Sequence, residues 1–220
     1  MSKKVIVAGP YFFYGAIRSE IGRIRDYVET IAWALKQESQ TFDAHVAKRA
    51  AKLPEHAVAG LYEDAYETAS NLADRFPAFA WQTTFVAIYS FLEDEMLGLA
   101  RLVSRLLDIT PAPKKQKYKG IFLAQQHLQF DCAIAFPDGS PHWLQAQDYN
   151  RIRNAIVHRR GRIGGWKYEE AIRQYTHGKD SVSIDDFYRL QLSEAFCLEV
   201  LDNVEALLED LFRLADERVS

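Results

Sequence analysis

A stripe of apolar residues between positions 79 and 107 limits the fold of this chain more than any other feature. Its members recur every three or four positions, the spacing that places side chains on one face of an α-helix. The stripe consists of Phe85, Ile88, Tyr89, Leu92, Met96, Leu99, Val103 and Leu106. So long a helix with one apolar face has to pack against other helices, and we therefore expect a helical bundle.

Segments before this helix show the same periodicity. We predict helices over residues 14–37, 41–53 and 57–74, the last of them ended by Phe76-Pro77 because proline disfavours helical geometry in the preceding residue. Residues 4–8 have two readings, a short strand like the first one of nucleotide-processing α/β enzymes or an arm packed on the helices. No alternation of strands and helices follows, which favours the arm.

After the long helix we predict helices over residues 120–130, 142–159 and 168–175, and an extended piece at 181–185. A final helix is expected to reach residue 218, with Ser183 or Asp185 as its cap and with Leu190 and Leu192 in its apolar stripe. Short connections between such helices indicate an all-α antiparallel bundle. We assign residues 1–56 to an N-terminal helical extension and 57–220 to the bundle, within one continuous domain.

The composition is that of an ordinary globular domain: 220 residues, 48% hydrophobic, with a net charge of −3. A general nucleic-acid binder carries a strong positive excess, so any nucleic-acid contact here must come from a local patch. Cys132 and Cys197 are far apart and fit neither a metal site nor a disulfide framework. With no apolar run approaching about 18 residues, we expect a soluble, cytoplasmic protein without membrane contact.

One segment departs from this acidic background. Between positions 151 and 162 the chain has five arginines and one histidine: Arg151, Arg153, His158, Arg159, Arg160 and Arg162. On a helix, Arg151, Asn154 and His158 fall within about 60° of one another, opposite a buried stripe, and Arg153 falls close to that stripe. A histidine can move protons at a ribose 2′-hydroxyl and at a leaving 5′-oxygen, and guanidinium groups can hold the phosphate. The segment therefore predicts RNA chemistry without a metal.

The sequence Arg153-Asn154-Ala155-Ile156-Val157-His158, hereafter the motif, resembles the RNA-cleaving motif of the HEPN family (higher eukaryotes and prokaryotes nucleotide-binding). That motif is an arginine, usually followed by a polar residue, and then a histidine after four to six intervening residues. Arg151 also fits this spacing, with six residues before His158, but Arg153 matches better because Asn154 follows it. The order of helices over residues 60 to 215 is similar to the family's bundle.

The resemblance implies a metal-independent endoribonuclease that leaves a 2′,3′-cyclic phosphate and acts as a homodimer in which two motif copies share one cleft. Many family members are toxins or act in defence against phage, which adds an antitoxin or other regulator to the expected partners, although nothing in the chain identifies one. We expect RNA as substrate, no cofactor and no metal. The expected catalytic residues are Arg153, Asn154 and His158, with Glu93 as an orienting carboxylate and Arg151, Arg159, Arg160 and Arg162 as RNA contacts.

Structural explanations stand beside these roles. His158 could cap the end of its helix, and Arg153 could form an ion pair with Glu93 or Asp94. Arg159, Arg160 and Arg162 could belong to a solvated loop, as could a second basic run formed by Lys114, Lys115, Lys117 and Lys119. Two other functions remain open: a catalytically inactive module that binds a nucleotide or RNA, and a helical scaffold for a partner protein.

Overall fold

The computed structural model describes residues 9–110 and 118–220, and these residues form an all-α fold with one small β-hairpin. The helices are α1 (Pro10–Ala50), α2 (Glu55–Ser70), α3 (Phe76–Leu106), α4 (Ile121–Gln126), α5 (Pro141–Arg159), α6 (Glu169–Thr176) and α7 (Glu194–Val219). The hairpin pairs β1 (Val182–Ile184) with β2 (Leu190–Leu192), antiparallel, with Ser183 opposite Gln191. Within the described residues, no helix has the length and apolar character needed to cross a bilayer.

The core lies where α3 and α7 pack against each other. Phe85 and Leu92 of α3 and Phe196 and Leu207 of α7 are fully buried, as the apolar stripes predict. Helix α1 packs along α7 and contributes Ile21 to the same core. Its N-terminal half is therefore an integral wall of the bundle.

Two predicted breaks in the N-terminal half are wrong. Helix α1 runs without interruption through residues 38–40, because the segment contains no proline or glycine that would end it. Helix α2 does not end at Phe76-Pro77 either: it passes through a π-turn at Asn71–Arg75 directly into α3, where Pro77 lies in the first turn. The first turn of a helix tolerates proline because its N–H has no partner there, and the wider π-turn accommodates the junction.

The start of the last helix also differs from the prediction. Leu190 and Leu192 lie in β2, so the helix begins only at Glu194, and Ser193 is its cap, with a side-chain oxygen that accepts a hydrogen bond from the Phe196 N–H. Asp185 instead closes the hairpin turn by accepting hydrogen bonds from the N–H groups of Phe187 and Arg189. The predicted helix over 168–175 and the extended piece at 181–185 are confirmed as α6 and β1.

Three features of the sequence lie outside the described residues. They are the candidate strand at 4–8, most of the basic run (Lys114, Lys115 and Lys117) and the Pro-rich segment around Pro111 and Pro113.

Candidate active site

The motif lies on the last two turns of α5, and the end of this helix determines where its basic residues point. Ser140 caps the start of α5 by accepting a hydrogen bond from the Trp143 N–H, and Tyr149 and Ile152 anchor one face in the core. The helix ends at Arg160 and Gly161, which both have left-handed backbone conformations, with φ of 55° and 77°. The N–H groups of Arg160 and Gly161 both donate to the carbonyl of Ala155, which closes the end of the helix.

This helix end turns the chain back onto the hairpin. The N–H of Ile163 donates to the carbonyl of Tyr188, and the N–H of Leu190 donates to that of Gly161, each at 2.9 Å. Arg162 and Arg189 are thereby paired across a short antiparallel bridge. An arginine with positive φ at position 160 is uncommon, and such conformations cluster at functional sites.

A basic cleft of about 610 Å³ opens beside this junction. One part of its wall consists of His158, Arg159, Arg160, Arg162 and Arg189, and the rest of Ala78, Phe79, Gln82 and Gln191. Among the described residues that line the cleft there is no carboxylate. Four guanidinium groups on one concave surface make a strong anion site in a protein whose net charge is −3.

The cleft arginines are held to different degrees. Arg159 is half-buried: it donates to the carbonyl of Gly164 at 3.2 Å, and its guanidinium lies 5.8 Å from the centre of the Trp166 ring. Arg160 and Arg162 are exposed.

Near Arg189, burial alone would raise the pKa of Asp185, but hydrogen bonds from the Arg189 N–H, the Gln191 side chain and the Phe187 N–H outweigh this effect of burial and lower that pKa. Asp185 therefore stays ionised and keeps the hairpin turn rigid beneath Arg189.

His158 is exposed at the rim of this cleft and has no hydrogen-bond or ion-pair partner within the described part of the chain. The terminal hydrogen bonds of α5 among the described residues come from backbone N–H groups, and His158 lies in the last turn of the helix, where a cation is favourable. Its imidazole therefore borders the cleft, where it could contact a ligand.

Arg153 and Asn154 belong to a separate hydrogen-bonded network with α3. Arg153 Nη1 donates to Asn154 Oδ1 (3.1 Å), Asn154 Nδ2 donates to Asn150 Oδ1 (3.3 Å), and the Tyr89 hydroxyl donates to the same Asn150 oxygen (2.9 Å). The network closes because the Arg153 guanidinium lies 5.9 Å from the centre of the Tyr89 ring. Burial, followed by the nearby Glu93 charge, raises the pKa of Tyr89, so its hydroxyl remains a donor.

The Arg153 side chain is not fully satisfied by this network. Its Nε is buried and has no hydrogen-bond partner among the residues that the structure describes. Within the described residues it forms no ion pair with Glu93 or Asp94, so the purely structural explanation by an ion pair is not supported. A buried N–H of this kind costs about 1–3 kcal/mol.

Two further expected site residues lie away from the cleft. The Glu93 carboxylate sits against Gly120, where an added Cβ would approach its Oε2 to 2.8 Å, and within the described residues no hydrogen bond or ion pair joins it to the motif. Arg151 forms an ion pair with Asp148 on its own helix. Burial raises the pKa of Asp148, and Arg151 counteracts part of that increase.

Four residues of the candidate site were not predicted from the sequence: Arg189, Phe79 and Gln82 in the cleft, and Asn150 in the network. Asn150 had a usable signal, because it lies four residues before Asn154 and shares its helix face. The alternation of Leu190-Gln191-Leu192 after an Asp-rich turn could have indicated a hairpin, and with it Arg189. Phe79 and Gln82 had no local signal.

Comparison with models of known protein families, with curated protein sequences and with solved structures found no match to this chain.

Proposed function

We propose that this protein is a metal-independent endoribonuclease of the HEPN type. The observation that carries the proposal is the position of His158, an exposed imidazole at the rim of a cleft lined by four arginines and, among the described residues, by no carboxylate. The resemblance of the motif to that of the family adds to it. A proton-transferring group beside a phosphate site is what RNA cleavage requires.

The reaction is an internal transfer at phosphorus. The ribose 2′-oxygen forms a bond to the adjacent phosphorus while the bond from phosphorus to the 5′-oxygen breaks, which leaves a 2′,3′-cyclic phosphate and a 5′-hydroxyl. A neutral His158 takes the 2′-hydroxyl proton. The protonated His158 of the second copy in the proposed dimer supplies a proton to the leaving 5′-oxygen. The cleft arginines stabilise the charge that grows on the phosphate oxygens.

Helical geometry supports the expected homodimer. Arg153 and His158 are five residues apart, so they point about 140° apart around α5 and do not share a wall of the cleft in one protomer. Val157, which is 46% exposed, lies between them on the solvent face. Packing of two copies across this face would bring Arg153 of one copy towards His158 of the other.

The decisive experiment is cleavage of 5′-labelled RNA in the presence of EDTA. We expect the protein to cut and to leave a cyclic phosphate, and His158→Ala to slow cleavage by about 10²–10⁴-fold with unchanged folding. His177→Ala is the matched control, since His177 is also exposed at a helix end but lies outside the cleft. If the protein binds RNA without any product on total RNA or model substrates, the inactive binding module replaces the enzyme.

The dimer has a test of its own. Val157→Asp should give a folded monomer by analytical ultracentrifugation that retains RNA binding and loses cleavage, because a buried aspartate would disfavour the pairing. A monomer with full cleavage activity would show that one copy of the site is sufficient.

A further inference from the structure

A second, apolar cavity of about 440 Å³ adjoins the basic cleft. Its wall includes Val86 of α3 and Ile156 of α5, both partly buried. Phe79, Gln82 and Arg160 line both cavities, so the two are compartments of one continuous depression. A ligand that occupies both must carry an anionic group next to an apolar one.

Phe79 stands at the junction of the two compartments. It is 74% exposed, as are Phe12 (75%) and Phe187 (74%), and it differs from them in lining both compartments. Its ring is close enough to both compartments to contact a flat group seated in the apolar one while a neighbouring charge lies among the arginines. Exposed aromatic rings beside basic grooves bind single-stranded nucleic acid by stacking on its bases.

We propose that the apolar compartment is a nucleobase subsite in which Phe79 stacks on a base of single-stranded RNA, while the adjacent phosphate lies among Arg160, Arg162 and Arg189. The inference rests on the proposed function and deepens it, because it names the form of the substrate. A paired base is stacked between its neighbours and cannot enter such a cavity, so a duplex is excluded.

Arg189 extends the phosphate site beyond the motif. It comes from the hairpin rather than from α5, and the antiparallel bridge places its side chain beside that of Arg162 on the same face. A phosphate that lies over this pair meets guanidinium groups from two separate segments of the chain. Arg189 therefore acts on every polyanion in the cleft, whereas Phe79 acts on those that carry bases.

This difference defines the experiment. Binding of fluorescent 2′-fluoro hexauridylate, which lacks the nucleophilic hydroxyl and cannot be cleaved, is measured by anisotropy, and linear polyphosphate serves as a base-free competitor. Phe79→Leu keeps the apolar volume and removes the ring. We expect it to weaken hexauridylate binding about fivefold or more and to leave polyphosphate binding unchanged, whereas Phe79→Tyr restores the affinity.

Two further variants complete the design. Arg189→Gln should weaken both ligands. Phe12→Leu, at a phenylalanine of α1 that is 75% exposed, should weaken neither. Because both phenylalanines are exposed, thermal unfolding should be unchanged in each variant.

Four results would overturn the inference. Equal loss of both ligands in Phe79→Leu would mean that the ring has no base-specific role. Unchanged hexauridylate binding in Phe79→Leu would remove the subsite but leave the proposed ribonuclease intact, provided RNA cleavage persists. A change in the association state of Phe79→Leu would make the apolar compartment a contact between copies of the chain. If the unaltered protein binds neither ligand, the proposed function fails with the subsite.

Discussion

Replacement of Arg153 by methionine separates a functional arginine from a structural one. The substitution removes one hydrogen bond to Asn154 from a charged donor, about 1.5–3 kcal/mol, and the contact with the Tyr89 ring, about 0.5–1 kcal/mol. It also relieves the buried Nε–H that has no partner, about 1–3 kcal/mol, and the desolvation of a partly buried guanidinium. The methionine stem fills the space of the arginine stem.

These contributions nearly cancel. We expect the free energy of unfolding of Arg153→Met to stay within about 1 kcal/mol of the unaltered protein, a shift in Tm of no more than about 2–4 °C for a chain of this size. RNA cleavage should be lost, because the network of Tyr89, Asn150 and Asn154 then holds no guanidinium. Urea unfolding followed by circular dichroism gives the first quantity, and a single-turnover cleavage assay gives the second.

The control for cleavage is Arg25→Met, which removes an arginine of α1 that is paired with Asp202 of α7. Its activity should be unchanged. A loss of more than about 3 kcal/mol in Arg153→Met would refute the reasoning, since that cost is typical of a buried ion deprived of its partner. Full cleavage activity in a stable Arg153→Met would show that the network serves packing alone.

Two further predictions concern stability. Gly120→Ala should lower the free energy of unfolding by about 1–3 kcal/mol, because Gly120 has φ of 59° and its new Cβ would meet the Glu93 carboxylate. Gly60→Ala, inside α2 with open space around it, should raise the free energy of unfolding by about 0.5–1 kcal/mol. Equal effects of the two substitutions in urea unfolding would contradict the backbone argument. Burial, with smaller contributions from nearby groups, raises the pKa of Tyr14 and Tyr175 from 10.0 to about 12, so the folded state keeps protons that the unfolded state releases. The contribution of these two tyrosines to stability should then be constant below about pH 10 and fall as the pH rises towards 12, with a shallower fall in Tyr175→Phe; a flat profile from pH 9 to 12 would be inconsistent with these shifts.

Local patterns in the sequence were sufficient for most of the fold. Period-3.6 stripes located α3 and α5 because the buried face of a helix repeats along the chain itself. These local patterns were insufficient where one element of secondary structure joins the next. The continuity of α1 follows from a local signal that the prediction missed, the absence of proline and glycine at residues 38–40. The π-turn before Pro77 depends on how neighbouring helices hold the chain, and the hairpin was missed because three-residue strands leave only a weak periodic signal.

The candidate site, too, could be predicted only in part from the sequence. The sequence by itself placed Arg153, Asn154 and His158 on one helix end with the neighbouring arginines, since all of them lie within a few turns. Only the tertiary structure decided that His158 faces the cleft while Arg153 joins Tyr89, and that Arg189 completes the cleft from 27 residues beyond Arg162. The backbone hydrogen bonds that bring the hairpin to the end of α5 join residues distant in sequence, and no local pattern of side chains encodes such a pairing.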